Sequence, residues 1–449
     1  MVRHAAATSA AVELPAEQPA RRLGSRSPAR GPAIPEELPS ALLMPGQGAQ
    51  YQGMGTGLYR ALPAFAAILD EVFEIMGAAG DELRADWLAT DPALPLEHVL
   101  RSQPLLFAID YALGRLLRSL GLRPAVMLGH SVGELAAATL AGVFDLDDAI
   151  RFLQHRVNYL ARAPAGGMAA IAASHEEVAP YLRPGVDIGA INAPRQTVIA
   201  GPDEPLRTTT AALREAGFTC APILSLTPFH STVLRPVVDV IGRLLAGRPM
   251  QPPAIALISG YTARRLTDAE AVEPLYWARH DVDPVLYWPA LESLLATGPH
   301  LLIECGPGEG LITLARRHPD VRSGRCKVLS LLGSTPPGPG GEAEHFATAA
   351  IRLGLRIPQA AARRGPRGAV EYPCSAVRQA RLHAHARGEC CRRPIGSRLR
   401  TRGLATPQDR DQRRARHPPG YLRRVDSHSY RHPDPPHRLA RHAHLLSGR

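Results

Sequence analysis

The segment from Ala125 to Ala141 constrains the fold of this chain more than any other. Ala125-Val126-Met127-Leu128 has the look of a short buried strand. Gly129-His130-Ser131-Val132-Gly133 follows at once, and a helical pattern opens by Glu134. A strand that passes into a helix through Gly-x-Ser-x-Gly holds its serine on a tight, strained turn with the hydroxyl exposed. Side chains at 129 and 133 would collide with the strand and the helix, so both positions call for glycine. A helix starting near Val132 also turns unpaired N–H groups and its positive dipole end toward any carbonyl bound above the serine. Ser131 is therefore the expected nucleophile of an acyl-transferring enzyme.

Around this unit, residues 41 to about 333 alternate short apolar strands with helical patterns, the mark of an α/β domain. Ala41-Leu42-Leu43-Met44 reads as a strand that runs into Pro45-Gly46-Gln47-Gly48-Ala49-Gln50, and Leu105 to Leu120 reads as an amphipathic helix. Residues 167–225 have a rhythm of their own. Strand-like Met168–Ala173, helix-like His175–Leu182, strands near Val186–Ala193 and Gln196–Gly201, helix-like Glu204–Gly217 and strand-like Thr219–Leu224 give the βαββαβ order of a ferredoxin-like unit inserted in the larger domain. Residues 1–40 are rich in Ala, Pro, Glu and Arg without sustained period and read as a disordered leader.

The net charge of +11 suggests nucleic acid until it is located. Residues 361–449 carry 21 arginines, no lysine and six acidic residues, a balance of +15 that leaves −4 for everything before them. The body is mildly acidic, and no specific nucleic-acid partner is expected from it. No run reaches the roughly 18 apolar residues of a membrane span, and the N-terminus lacks the apolar segment of a secretory signal, so the expectation is a cytoplasmic enzyme without membrane contact. Cys220, Cys305 and Cys326 are scattered and read as reduced core thiols.

Two further groups are needed for acyl chemistry at Ser131. An oxyanion hole needs a main-chain N–H opposite the nucleophile's own turn, and Gly46-Gln47-Gly48 after the first strand is flexible enough to supply one. A base is needed as well, and the body offers His98, His130, His155, His175, His230, His280 and His300. His130 adjoins the serine, but its side chain should point the other way. His230, in Thr227-Pro228-Phe229-His230-Ser231, stands out because the chain returns there from the insert to the main domain; spacing alone does not select it.

With these residues together, the chain resembles the malonyl-CoA:acyl carrier protein transacylase family, which includes polyketide synthase acyltransferase domains. The resemblance spans about residues 41–333. It rests on Pro-Gly-Gln-Gly-Ala-Gln at 45–50, Gln103-Pro104-Leu105-Leu106-Phe107, Gly-His-Ser-Val-Gly-Glu at 129–134, Gly166-Gly167-Met168, Pro228-Phe229-His230-Ser231 and Glu304-Cys305-Gly306-Pro307-Gly308, in that order. It implies an α/β-hydrolase-like large domain with the ferredoxin-like small subdomain inserted, and a site in the cleft between them. It also implies that Ser131 is acylated by malonyl-CoA, with His230 as base and then acid. A carbonyl within Asp283-Pro284-Val285-Leu286 would orient that histidine, and the N–H groups of Gln47 and Val132 would hold the oxyanion. The phosphopantetheine thiol of an acyl carrier protein would then take the acyl group in a ping-pong cycle. The implied partners are that carrier protein and ketosynthase or other synthase components. No cofactor or metal is implied.

Substrate class turns on an arginine of the helix after the nucleophile. The matching position is Arg156, with Arg151 as a nearby decoy, and a guanidinium suits two-pronged recognition of the malonyl carboxylate. Phe229 would narrow the space beside the α-carbon, and Gln103 and Asn192 are secondary contacts. An editing thioester hydrolase of the same fold is the alternative enzyme, against which Arg156 counts, because a neutral acyl chain leaves that charge without a partner. An inactive module fragment is the non-enzymatic alternative. Residues 334–449 read as a Pro/Gly linker, one helical stretch near Glu342–Leu355, and a basic, disordered or out-of-frame tail. The tail's His383, His385, Cys390 and Cys391 match no strong zinc spacing.

Overall fold

In a computed structural model, the structure describes residues 38–333 and 341–357 of the 449. The leader before Leu38, the linker 334–340, and the tail from 358, with its His and Cys residues, lie outside the described residues.

Among the described residues, nine strands form two sheets. Strands β1 (Ser40–Met44), β2 (Val126–Gly129), β7 (Ala256–Ile258), β8 (Leu301–Glu304) and β9 (Lys327–Ser330) build a five-stranded sheet in the order β7-β2-β1-β8-β9. All its pairings are parallel. Every residue of β1, β2 and β8 is buried, as strands covered on both faces by helices must be. Strand β1 is central; the chain passes from it to β2 and then β7 on one side, and crosses from β7 to β8 and β9 on the other. This is the topological switch at which the C-terminal ends of parallel strands open a crevice for ligands. Pro45-Gly46-Gln47 leaves β1 there and His130-Ser131 leaves β2.

The second sheet is the insert: β3 (Gly166–Ile171), β4 (Asp187–Ala193), β5 (Gln196–Pro202) and β6 (Cys220–Ile223), ordered β4-β5-β3-β6 with every pairing antiparallel. Helix Asp203–Glu215 packs across it, and a smaller apolar core of Ile171, Val178, Ile199 and Leu213 fills the space between. The expected ferredoxin-like subdomain is present. The fold is thus an α/β-hydrolase-like large domain with a ferredoxin-like insert.

Two sequence expectations shift. The helix expected over Leu105–Leu120 runs from Val99 to Ser119 and takes Pro104 in its second turn. It is buried on nearly every face, since it packs against helices Pro63–Met76, Val132–Ala141 and Leu146–Leu160. The helix assigned by composition to the linker and tail, Gly341–Arg352, is part of the domain: Phe346, Ala349 and Ala350 are buried in the main core. Its Glu342 carboxylate accepts from Tyr51 Oη (2.6 Å), Gly55 N (2.7 Å) and Gly57 N (2.8 Å), in the segment that follows the Gly46-Gln47 loop.

Candidate active site

Ser131 has φ 55° and ψ −122° and forms the N-cap of helix Val132–Ala141, the sharp elbow expected of Gly-x-Ser-x-Gly. The flanking glycines are obligatory. A Cβ on Gly129 would overlap the main chain of Glu134, and one on Gly133 would overlap the Met44 carbonyl at the end of β1. A Cβ on Gly46 would overlap the His130 carbonyl and stand 3.1 Å from Ser131 Cβ, so the loop after β1 lies directly against the elbow. Among the described residues, the N–H groups of Gln47 and Val132 have no protein acceptor. The side chains of Gln47 and Gln50 both donate to the Leu224 carbonyl at 2.9 Å, tying that loop to the exit of the insert.

The elbow helix is anchored from its first turn. The buried Glu134 accepts from Gly260 N (2.7 Å) just after β7 and from the Tyr276 hydroxyl. Burial pushes its carboxyl up to about 7 despite the donors around it. Glu304 does comparable work at the end of β8. It accepts from Leu311 N and Ile312 N, which fixes the turn built from Cys305-Gly306-Pro307-Gly308.

His230 Nε2 lies 2.9 Å from Ser131 Oγ, and Nδ1 lies 2.9 Å from the Asp283 carbonyl. With that carbonyl as acceptor, Nδ1 carries the proton and Nε2 is left free to receive one from the serine. The insert builds this geometry. Segment Asp283-Pro284-Val285 adds to the edge of β4 through Val285 N to Gly189 O (2.9 Å) and Ile191 N to Val285 O (2.8 Å). Asp187, at the start of β4, accepts from Ser231 Oγ (3.0 Å) and Thr232 N (2.7 Å) and holds the turn beyond His230. His230 itself has φ 61° and donates its N–H to the Asp281 carbonyl (2.8 Å). Burial, then the neighbouring His130 and Arg156, lowers its pKa to about 3, so the ring is neutral at ordinary pH.

The other histidines separate cleanly. His130 is turned away from the serine and bonds Asn192 Oδ1 at 3.0 Å. His98 caps helix Val99–Ser119, His155 is exposed, His175 is half-buried, and His300 contacts the Gly298 carbonyl. His280, another candidate base by residue type, is buried, 3.9 Å from the Tyr261 ring in a stacked pair, and not on the serine.

Arg156 is 2 % exposed and donates Nη2 to Gln103 Oε1, so these two expected contacts meet. Arg151, one turn earlier, is exposed. Phe229 is buried beside His230, with ring centroids 6.5 Å apart. Sequence reasoning does not anticipate the partner of Arg156. Asp281 Oδ1 lies 3.8 Å from Arg156 Nε, and both side chains are buried. The charge of Arg156 is therefore compensated before any ligand arrives, which removes the argument that a neutral acyl chain would leave it unpaired. Nothing in the spacing of Asp281 marks it; only the return of the Asp283 segment to the site brings it there.

A cleft of about 550 Å³ opens over Gly46, Gln47 and His130, with Asn192 and Leu224 of the insert and Arg317 at its walls. It lies between the sheets, where the resemblance expects the acyl thioester to enter. A larger hollow of about 680 Å³ is lined by Met76, Leu83, Pro104 and Val157. Neither space is lined by the side chains of Ser131, His230 or Arg156; the smaller one reaches the elbow through Gly46, Gln47 and His130.

Residues 42–356 match the acyl transferase domain family. A phenolphthiocerol/phthiocerol polyketide synthase polypeptide of Mycobacterium tuberculosis is 37% identical over 281 residues, 62% of this chain and 19% of that protein. The mycoketide-CoA synthase of the same organism is 35% identical over 303 residues, 67% of this chain and 7% of that protein. The chain thus spans under a fifth of the length of these relatives. Among solved structures, the acyltransferase domain from the second module of the salinomycin polyketide synthase superposes with a TM-score of 0.64 at 32% identity, covering 72% of this chain and 75% of that one. A malonyl-transacylase in complex with the acyl-carrier protein of a type II polyketide synthase gives 0.60 at 25% identity, covering 70% and 99%. An elbow serine beside a histidine, in a fold shared with these enzymes, has a plain meaning: the chain belongs to the acyl transferase domain family.

Proposed function

We propose that this acyltransferase moves a malonyl group from malonyl-CoA to the phosphopantetheine thiol of an acyl carrier protein, in polyketide or fatty acid assembly. The observation that carries this reading is the buried Arg156 with Gln103 beside the Ser131–His230 pair, a guanidinium suited to a substrate's free carboxylate. In the first half-reaction Ser131 Oγ attacks the thioester carbonyl as its proton passes to His230 Nε2. The N–H groups of Gln47 and Val132 hold the oxyanion. Collapse expels the CoA thiolate, which takes the proton from His230 and leaves malonyl-serine. In the second half the carrier's thiol gives its proton to His230, attacks the ester, and releases Ser131, which recovers the proton.

In this reading ketosynthase or other synthase components are the further partners, and the cytoplasm is the compartment that supplies malonyl-CoA. Among the described residues no helix is long and apolar enough to cross a membrane. The likeness to a transacylase with its carrier protein supports the acceptor assignment.

A second reading, transfer or hydrolysis of neutral acyl groups, is favoured by Asp281, which neutralises Arg156 from within the protein. Radiolabelled malonyl-CoA and acetyl-CoA, each with and without a carrier protein, separate the two. Malonyl label should reach Ser131 and move to the carrier. Absent malonyl labelling, or labelling that persists in Ser131→Ala, ends the proposal; acetyl labelling followed by release to water supports the second reading.

A further inference from the structure

The pair formed by Arg156 and Asp281 bears on substrate choice. Asp281 Oδ1 stands 3.8 Å from Arg156 Nε, with the two side chains 6 % and 2 % exposed. Arg156 Nε has no hydrogen-bond acceptor among the described residues, and neither has Gln103 Nε2 any partner, although both atoms are fully buried. Donors are thus left over around the guanidinium even with Asp281 in place. The ion pair is long for a structural one, and among the described residues the Asp281 side chain makes no hydrogen bond that would fix it. Its main chain does the structural work, accepting from His230 N at 2.8 Å. The carboxylate is the part of the residue not committed to the fold.

We propose that the Asp281 carboxylate is an internal competitor for Arg156, and that it sets how far the enzyme prefers acyl groups with a free carboxylate over neutral ones. This rests on the reading of Arg156 as the ligand of the substrate's carboxylate. A malonyl carboxylate that reaches Arg156 arrives within a few ångströms of a second negative charge, and like charges brought together away from water oppose binding strongly. A neutral acyl group meets an arginine whose charge is already compensated, so it does not bury an unpaired cation. Both effects act in the same direction. Asp281 lowers the preference for malonyl below what Arg156 alone would give. The buried setting of Asp281, which raises its pKa through desolvation against the pull of Arg156, agrees with a carboxylate held at some cost.

The test is the ratio of second-order rate constants for acylation of Ser131 by malonyl-CoA and by acetyl-CoA, followed by intact-protein mass. Asp281→Asn keeps the side-chain shape and the main-chain bond to His230 but removes the charge. The ratio should rise about tenfold or more. Asp281→Glu, which restores a charge, should bring the ratio back toward that of the wild type. In an Arg156→Ala background, Asp281→Asn should not raise the ratio. A ratio within twofold of wild type in Asp281→Asn, or an equal fall for both substrates, overturns the proposal while leaving the role of Arg156 intact, provided Arg156→Ala still lowers the ratio. If Arg156→Ala leaves the ratio unchanged, the carboxylate reading itself fails and this proposal with it.

Discussion

Ser131 and His230 meet at 2.9 Å, Oγ to Nε2, and each holds a positive φ, 55° and 61°, that L residues rarely adopt. Only one other non-glycine among the described residues does so, Ala263. The strain is concentrated on the two residues that must face one another. Backbone held in such regions costs about 1–3 kcal/mol per residue and persists where the surroundings over-determine it. Here the surroundings are the three glycine contacts at the elbow and the Asp187 and Asp281 bonds at His230.

Substitution at Ser131 should expose that strain. Ser131→Ala and Ser131→Gly both remove the hydroxyl and should abolish acylation. Glycine alone relieves the unfavourable φ, so Ser131→Gly should be more stable than Ser131→Ala by about 1 kcal/mol, the reverse of the usual order at ordered positions. Chemical denaturation of the two variants checks this. An alanine variant as stable as the glycine one would mean that the elbow is not strained.

The pH dependence of acylation should lack the usual histidine signature. Burial, then His130 and Arg156, lowers the pKa of His230 from 6.5 to about 3, with the Asp283 carbonyl pulling the other way. A lowered pKa keeps Nε2 unprotonated, and hence able to take the serine proton, far below neutrality. With a neutral N-acetylcysteamine thioester, which brings no titrating group of its own, kcat/KM for acylation should hold flat from pH 8 to about 5. An acidic limb centred near 6.5 would contradict the desolvated setting of this ring.

Much of the site is readable because it depends on local geometry. The Gly129-x-Ser131-x-Gly133 elbow, the Gly46-Gln47 loop and the βαββαβ insert each follow from residue types at fixed short spacing, and each is present where expected. Arg156 and Gln103 are reached only through the resemblance, since 53 residues separate two side chains that touch. Asp281 is not legible at all. Its place beside Arg156 depends on residues 283–285 pairing with β4 of the insert, and no local pattern announces that pairing. Helix Gly341–Arg352 reads as part of the tail because a Pro/Gly-rich stretch precedes it, yet its apolar face belongs to the main core.

That helix should matter to stability through one carboxylate. Glu342 accepts from Tyr51 Oη, Gly55 N, Gly57 N and, at 3.4 Å, Leu58 N, so it satisfies four donors of the segment after the Gly46-Gln47 loop. Removal of a shared acceptor leaves buried donors unpaired, at about 1–3 kcal/mol for each one that water does not reach. Glu342→Ala should therefore cost roughly 3 kcal/mol in denaturant unfolding, and Glu342→Gln, which keeps an acceptor oxygen, clearly less. Equal stability of wild type and Glu342→Ala would show that the segment holds itself without the helix.

Glu134 offers a prediction whose sign is fixed by burial. Desolvation raises its carboxyl from 4.5 to about 7 in the folded protein, against the opposing donations of Tyr276, Gly260 N and Ser259. The folded state therefore binds a proton that the unfolded chain releases at lower pH. The stability this provides is fully present below about pH 4.5 and is lost as pH rises through 7. Glutamine cannot ionise, and its carbonyl can still accept from Gly260 N, so the Glu134→Gln variant escapes the loss. Measured by denaturant unfolding from pH 5 to pH 8, its stability should gain on that of the wild type by roughly 2–3 kcal/mol as pH rises. Other buried carboxyls, Glu304 among them, titrate alike in both proteins and cancel in the difference. A difference that stays constant across that range would mean the Glu134 carboxylate is already ionised at pH 5, held so by the donors of Gly260 and Tyr276, and the anchor of the elbow helix would then be a charge rather than a proton-bearing acid.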